Sequence, residues 1–395
     1  MPKVLRIINR FNVGGPTYNA VYLTSLLCGG NEGEMRFETR LIGGSPAEGE
    51  AHSGYIARAH GVEIEEIETM SRRISLLSDL RSFIRIIRII REFRPDIVHT
   101  HAAKAGALGR LAAFICRVPV VVHTYHGHVF SGYFGALKSY LVRTVEKILG
   151  LITTHIVCIS QKQFEEITGQ FKIVKPSKAS VIPLGFDLSR FSESREEKRT
   201  RFRNLYNLND EEVAVGIIGR FAPIKNHSLF IRAFSEAKKK NEHLRAFIIG
   251  DGDTKSDLIS QCAASGMTAG TDPEGDVVFT SWIKTIADAL AGLDIIVLTS
   301  INEGTPVSLI EAQAAGKPVV STNAGGVHDC VQDGVTGFIT PHDPSAIHLA
   351  ILQLAASATL RREMGAAGEC HVRDKFSHHR LAKDMRALYC QLLRM

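Results

Sequence analysis

Between Glu303 and Glu311 the chain reads Glu-Gly-Thr-Pro-Val-Ser-Leu-Ile-Glu, two carboxylates separated by seven residues where a loop turns into a helix. Thr305 is the expected N-cap. Pro306 suits the first helical position, where its missing N–H costs no hydrogen bond, and Gly316 before Lys317-Pro318 is the expected stop. The amides such a helix leaves unpaired, from about Pro306 to Leu309, are a ready anion site, and the flanking carboxylates accept hydrogen bonds from hydroxyls. Carboxylates beside a bound phosphate suit a sugar nucleotide. Taken alone, the segment reads equally well as a solvated helix glutamate and a loop charge.

A second site-like element is Gly219-Arg220-Phe221-Ala222-Pro223-Ile224-Lys225-Asn226, directly after the apolar run 213–218. Ligands of open α/β sheets gather at the carboxyl ends of strands, so Arg220 and Lys225 are placed to offer two fixed cations to a diphosphate leaving group. An isolated Arg-x4-Lys is also what two ordinary surface cations look like.

Five histidines, at 99, 101, 123, 126 and 128, gather at the ends of two expected strands, which raises a metal site. No Asp, Glu or Cys accompanies them within either cluster to serve as ligand or outer-shell partner. Asp251-Gly252-Asp253 imitates the Asp-x-Asp that holds a divalent ion, yet it follows a strand at 245–249 as a glycine-rich turn. Arg220 and Lys225 already bring the charge a metal would supply. The expectation is a turn at Asp251, no metal and no cofactor.

The elements that must position these residues alternate throughout: short β-branched runs, then longer helical patterns, the signature of parallel sheets with crossover helices. Strands are expected near 4–8, 37–42, 62–67, 96–99, 119–123, 155–159 and 179–182, then near 213–218, 245–249, 276–279, 294–298, 318–321 and 337–339. That makes two α/β sheets in series, joined after Val181-Ile182-Pro183-Leu184-Gly185, and gives domains at 1–185 and 186–376. A length of 395 residues accommodates two cores.

With 45% hydrophobic and 22% charged residues the composition is that of a globular protein, not a disordered one. Residues 1–185 hold 23 basic against 15 acidic side chains and the remainder 24 against 26, so the net charge of +6 resides in the first half. Such asymmetry favours an anionic acceptor or surface for that domain, or simply a solvated basic face. Seven scattered cysteines without a Cys-x-x-Cys pair read as reduced thiols of a cytoplasmic protein. The start lacks the order of a secretory signal, and no apolar run has the length of a membrane span. No motif or aromatic platform for nucleic acid accompanies the basic half. The segment 71–94 carries seven arginines, with apolar residues at 76, 77, 80, 83, 84, 87 and 90. It can lie on anionic lipid, or pack its stripe on the sheet and solvate its arginines.

Gly14-Gly15 after the first strand, Gly219-Arg220 with Lys225, and Glu303-x7-Glu311 leading into Gly316-Lys317-Pro318-Val319-Val320 together resemble the retaining, GT-B-fold glycosyltransferases of family 4, bacterial polysaccharide and lipopolysaccharide enzymes among them. Gly325-Gly326 through Asp333-Gly334-x-x-Gly337 extends the likeness, which spans nearly the whole chain. It implies two Rossmann-like doubly wound α/β domains facing across a cleft, with a helix at 377–395 returning to the first. Arg220 and Lys225 match the pair on the nucleotide diphosphate, Glu311 the carboxylate on the ribose hydroxyls, and Glu303 the one beside the donor sugar. Gly304, Thr305, Pro306, Val307, Ser308 and Leu309 match the segment whose backbone meets sugar and phosphate. Gly219 opens the cationic loop, Gly15 matches the glycine near diphosphate and acceptor, and His126 the histidine at the sugar's reacting face. Ser281-Trp282-Ile283 falls where the nucleotide base is met; the lone tryptophan is otherwise a core residue.

The chain departs from the family at Pro16 and at Leu184, where Asn is frequent, which bears on the acceptor more than on the activity. The implied reaction moves a sugar from a UDP-sugar to a hydroxyl of a glycan or lipid-linked acceptor, without metal, for a cytoplasmic enzyme that can touch the inner face of the membrane. The competing readings are a histidine-centred metallohydrolase and a catalytically silent subunit of the same fold.

Overall fold

Short runs of Val, Ile and Leu become parallel strands because helices cover both faces of each sheet, burying the central strands on both sides and leaving the edge strands partly exposed. The computed structural model describes residues 1–12, 14–29, 34–46, 50, 52–71, 75–126 and 136–395. They form two compact units, Met1–Phe186 with Phe376–Met395, and Asp187–Lys375.

In the first unit β1 (Lys3–Ile8), β2 (Glu38–Gly43), β3 (Ile64–Glu66), β4 (Ile97–His101), β5 (Val120–Tyr125), β6 (His155–Cys158) and β7 (Ala179–Val181) lie in the order β3-β2-β1-β4-β5-β6-β7. In the second, β8 (Val213–Ile218), β9 (Leu244–Ile249), β10 (Ala269–Gly270), β11 (Val277–Ser281), β12 (Ile295–Leu298), β13 (Val319–Thr322) and β14 (Gly337–Thr340) lie in the order β10-β11-β9-β8-β12-β13-β14. Every pairing is parallel. Both orders are doubly wound: the chain builds one side from β1 or β8, with β11 inserted between β9 and the edge strand β10 in the second sheet, and then crosses to the other side at β4 or β12. The unexpected strand is β10, whose two residues, Ala269 and Gly270, carry no β-branched signal.

The helices that position the site are α1 (Gly15–Cys28), α2 (Leu76–Phe93), α3 (Ala103–Ile115), α4 (Ala136–Leu151), α5 (Val307–Ala314) and α6 (His378–Leu393). Ser377 caps α6 by accepting from the Arg380 amide at 3.3 Å, and Leu381, Met385, Leu388 and Tyr389 enter the core of the first unit beside Val4, Leu23 and Val122. Gly185 is required there, since a Cβ would stand 2.6 Å from that of Leu381. The helix therefore closes the first unit although it follows the second in sequence.

The structure alters two helix readings. α5 begins at Val307, one residue later than expected: Pro306 has ψ 89°, outside the helical region, and makes the N-cap in place of Thr305. In α2 the buried face is Ser82, Ile86, Ile89 and Ile90, whereas Leu76, Leu77, Leu80 and Ile84 are exposed. Of the stripe read from the sequence, Ile90 is buried and Phe83 and Ile87 pack against the core, while its other members face away, because the helix is apolar over more than one face. Arg72 and Arg73 lie outside the described residues.

Candidate active site

β8 and β12 are hydrogen-bonded neighbours whose following loops lead to opposite sides of the sheet, the position where an open α/β sheet leaves a crevice. The two segments singled out from sequence meet there. Lys225 Nζ lies 2.6 Å from Glu303 Oε1, and Ser300 Oγ donates to the same oxygen at 2.6 Å. The loops are tied by Ile301 N–H to Ile224 carbonyl, 2.9 Å, and by Thr299 Oγ1 to Asn226 carbonyl, 2.9 Å. Gly219 leaves room for the Lys225 stem, which a Cβ would touch at 3.8 Å. Arg220 is exposed and has no partner among the described residues, so its guanidinium is uncommitted.

Glycines hold both loops by close backbone contact. Gly325, at φ +55°, would bring a Cβ 1.9 Å from the Glu303 carbonyl oxygen, and Gly326 would bring one 1.9 Å from that of Gly304. Gly250 and Gly252, at φ +147° and +156°, press in the same way on Gly219 and Phe221. Asp251 lies in this turn. Its carboxylate accepts from the Gly252 amide at 2.8 Å and from Ser281 Oγ at 3.3 Å.

The first turn of α5 adds donors. The amides of Gly304, Thr305, Val307 and Ser308 have no acceptor among the described residues, whereas Leu309 is fully buried and its amide donates to the Pro306 carbonyl at 3.1 Å. At the far side of the helix, Glu311 Oε1 accepts from Arg190 Nη2 at 2.9 Å. Burial pushes the Glu311 carboxyl above its ordinary range, and the Arg190 guanidinium opposes that rise. Arg190 escaped the sequence reading, because nothing local signals a partner 121 residues away. Ile283 is half-buried in the loop after β11, and Trp282 is 59% exposed, so the tryptophan is not a core residue.

In the first unit Gly14 is the N-cap of α1 and Gly15 opens it; a Cβ on Gly15 would meet only open space. Pro16 sits in the first turn, where it removes no helical hydrogen bond. His126 follows β5 and shares a 2.9 Å hydrogen bond between its Nε2 and Nδ1 of His101. Burial lowers the His126 imidazole to about 4, and burial beside Arg6 and neighbouring rings holds His99 and His101 well below the ordinary value, so all three are neutral at pH 7. His99 bonds Tyr389 and Thr124, and His123 bonds Thr100. The rings are thus used on hydroxyls and on one another, and among the described residues no three His, Cys, Asp or Glu are grouped to hold a metal ion. His128 lies outside the described residues.

A family model described as Glycosyl transferases group 1 matches residues 212–357, and one described as Glycosyltransferase Family 4 matches residues 34–190. The chain is 30% identical over 275 residues, 69% of each chain, to the UDP-Gal:alpha-D-GlcNAc-diphosphoundecaprenol alpha-1,3-galactosyltransferase of Escherichia coli. It is 28% identical over 346 residues to the capsular polysaccharide biosynthesis glycosyltransferase CapM of Staphylococcus aureus, covering 84% of this chain and 86% of CapM. In fold it is similar to Anabaena HepE, solved in complex with UDP, at a TM-score of 0.81 and 19% identity over 98% of this chain and all of HepE. With its two doubly wound sheets and the paired loops at β8 and β12, the chain belongs to the GT-B glycosyltransferases of group 1 and family 4.

Proposed function

We propose that this enzyme transfers a hexosyl group from a UDP-sugar, with retention of the anomeric configuration, to a hydroxyl of a lipid-linked or glycan acceptor in cell-envelope polysaccharide synthesis. The observation that carries it is the convergence on one switch point of Lys225, Glu303, the open amides before α5 and the uncommitted Arg220. Arg220, Lys225 and those amides, from Gly304 to Ser308, stabilise charge on the departing diphosphate. Glu311 takes the ribose hydroxyls, Glu303 the donor sugar, and Ile283 lies toward the base. Gly15 gives the backbone room near the diphosphate and acceptor, and His126 faces the reacting sugar.

The bond between the anomeric carbon and phosphate oxygen breaks, the nucleoside diphosphate departs, and the acceptor hydroxyl attacks the same face. Its proton passes to the departing phosphate oxygen, so no side-chain base is required. The fixed cations make a metal unnecessary. The UDP preference and the lipid-diphosphate acceptor rest on the Escherichia coli relative.

The acceptor would be reached at a membrane surface. Among the described residues no helix is long and apolar enough to cross a bilayer. α2 packs on α3 and α3 on α4, and these neighbours expose Leu77, Leu80, Phe114, Ile115, Ile148 and Leu151. Arg81, Arg88 and Arg91 are exposed beside them without ion-pair partners among the described residues. Apolar side chains interleaved with uncompensated cations suit the surface of an anionic bilayer.

Thermal shift with UDP, GDP and ADP tests the donor: a ligand at a hundred times its Kd stabilises by about 2.7 kcal/mol, and no response to UDP removes the UDP-sugar reading. NMR of the product anomer tests the stereochemistry, and an inverted linkage ends same-face attack.

A further inference from the structure

The buried histidines of the first unit form an ordered stack that ends at His126. Tyr389 Oη, from α6, lies 2.6 Å from His99 Nδ1, and His99 Nε2 lies 2.7 Å from Thr124 Oγ1. Arg6 Nη2, which can only donate, approaches Tyr389 Oη at 3.5 Å, so the tyrosine hydrogen is directed to His99 Nδ1 and His99 donates from Nε2 to Thr124. His99 is thereby fixed at both nitrogens. The His101 ring lies 4.2 Å from it, centroid to centroid, and the His126 ring stacks 5.2 Å beyond His101. β4 carries His99 and His101 two residues apart, on one face of the sheet, and β5 pairs Thr124 with His101 and leads on to His126.

Two nitrogens in this stack are uncommitted: His101 Nε2 and His126 Nδ1 are both buried and have no hydrogen-bond partner among the described residues. The two neutral imidazoles hold one N–H each, and one of those N–H groups makes the bond between them. Either His101 donates, leaving a bare lone pair on its Nε2 and an N–H without an acceptor on His126 Nδ1, or His126 donates, leaving an N–H without an acceptor on His101 Nε2 and a bare lone pair on His126 Nδ1. Each arrangement strands one N–H and one lone pair, so the pair alone does not choose between them; an acceptor brought to His126 Nδ1 satisfies the stranded N–H only when His101 Nδ1 donates.

We propose that His101 is a positioning residue for glycosyl transfer: it fixes the ring and tautomer of His126 so that His126 Nδ1–H donates to a hydroxyl of the donor sugar. This rests on the reading of His126 as the histidine facing that sugar. Tyr389 and His99 form the rigid end of the stack, so the C-terminal helix takes part in setting the orientation. His101 acts only through His126. A misplacement of His126 by an ångström is enough to lower turnover without weakening the grip proposed for the 219–226 and 303–311 loops on the nucleotide.

The test uses the full-length chain. On the unmodified protein saturated with the UDP-sugar of the kinetic assay, nitrogen-15 histidine NMR is expected to find His126 as the Nδ1–H tautomer, and an Nε2–H tautomer overturns the proposal. His101→Phe keeps a stacked ring but offers no nitrogen, whereas His101→Asn restores a donor close to the position of Nδ1. The expected result is a fall in kcat of about tenfold to a hundredfold for His101→Phe, with KM for the UDP-sugar within about twofold, and recovery of most of that loss in His101→Asn. Full kcat in His101→Phe, or equal loss in both variants, overturns the positioning role. His126→Ala is run alongside: wild-type activity there shows that the reading of His126 has failed, whereas an inactive His126→Ala beside an active His101→Phe condemns His101 alone.

Discussion

Lys225 and Glu303, 78 residues apart in the chain, form an ion pair at 2.6 Å in the second unit. Both hydrogen bonds to Glu303 fall on Oε1, from Lys225 and Ser300, and leave Oε2 uncommitted among the described residues. One carboxylate oxygen anchors the side chain to the cation and the other is free for a hydroxyl. The pair therefore couples the group proposed to meet the diphosphate to the group proposed to meet the sugar.

Glu303→Gln separates these roles. It keeps the shape and a hydrogen bond to Ser300 but removes the charge. Turnover is expected to fall about a hundredfold with UDP affinity nearly unchanged, measured by steady-state kinetics and calorimetry. An equal loss of UDP binding would move Glu303 from the sugar to the nucleotide.

Arg220→Met and Lys225→Met should each lower kcat by on the order of a hundredfold, the effect of removing one donor to a developing anion. Their effects on stability should differ. Arg220 is exposed and unpartnered among the described residues, so its loss is expected to change stability by less than about 0.5 kcal/mol. Lys225→Met leaves Glu303, whose side chain is 11% exposed, without its counterion, and a clear drop in Tm should follow. Equal melting temperatures would mean the ion pair is too solvated to matter.

Arg190→Ala tests the Glu311 pair through pH. Burial raises the Glu311 carboxyl and Arg190 pulls it down, so removing the guanidinium lets the carboxyl rise further and protonate at higher pH. A protonated Glu311 accepts hydroxyl hydrogens more weakly. UDP affinity of the variant is expected to decline at a higher pH than that of the wild type, followed by calorimetry from pH 5 to 8. Parallel pH profiles would detach Arg190 from the nucleotide site.

Much of this arrangement was legible in the sequence because strand ends and their loops are local features. Each β-branched run from Val213 to Ile339 became a strand, and the doubly wound order then placed the 219–226 and 303–311 loops side by side. What escaped was partnership across long separations. Arg190 lies in an undistinguished charged stretch, and its bond to Glu311 depends on how a short segment after the domain join folds back. Ser300 and the Gly325-Gly326 contact with Glu303 are likewise tertiary. α2 misled for another reason: with isoleucines on several sides, periodicity alone does not choose the buried face.

Gly326→Ala should show how tightly that backbone contact sets the site. A Cβ would collide with the Gly304 carbonyl at 1.9 Å, and the Gly326 amide also donates to the Glu303 carbonyl at 3.0 Å. The loop carrying Glu303 must shift, and kcat should fall at least tenfold while the protein remains folded by circular dichroism. Retained activity would show that the loop adjusts without moving Glu303.

Acid should destabilise both units through buried neutral histidines. Burial lowers His126 in the first unit and His227 in the second to about 4, with Lys225 adding to the effect on His227. The unfolded chain protonates these rings below about pH 6.5 while the folded chain does not, so it binds more protons between roughly pH 6.5 and 4 and stability falls as pH falls through that window. The loss is about 2 kcal/mol per histidine by pH 5. His227 is 3% exposed, neither ring nitrogen has a hydrogen-bond partner among the described residues, and its ring meets Phe221 edge-on at 5.1 Å. His227→Phe should therefore preserve the packing and remove that residue's share of the acid sensitivity. Urea titrations at pH 7.5 and 5 measure it: the two chains should differ by about 2 kcal/mol more at pH 5 than at pH 7.5, and an unchanged difference would show that His227 titrates as it does in water.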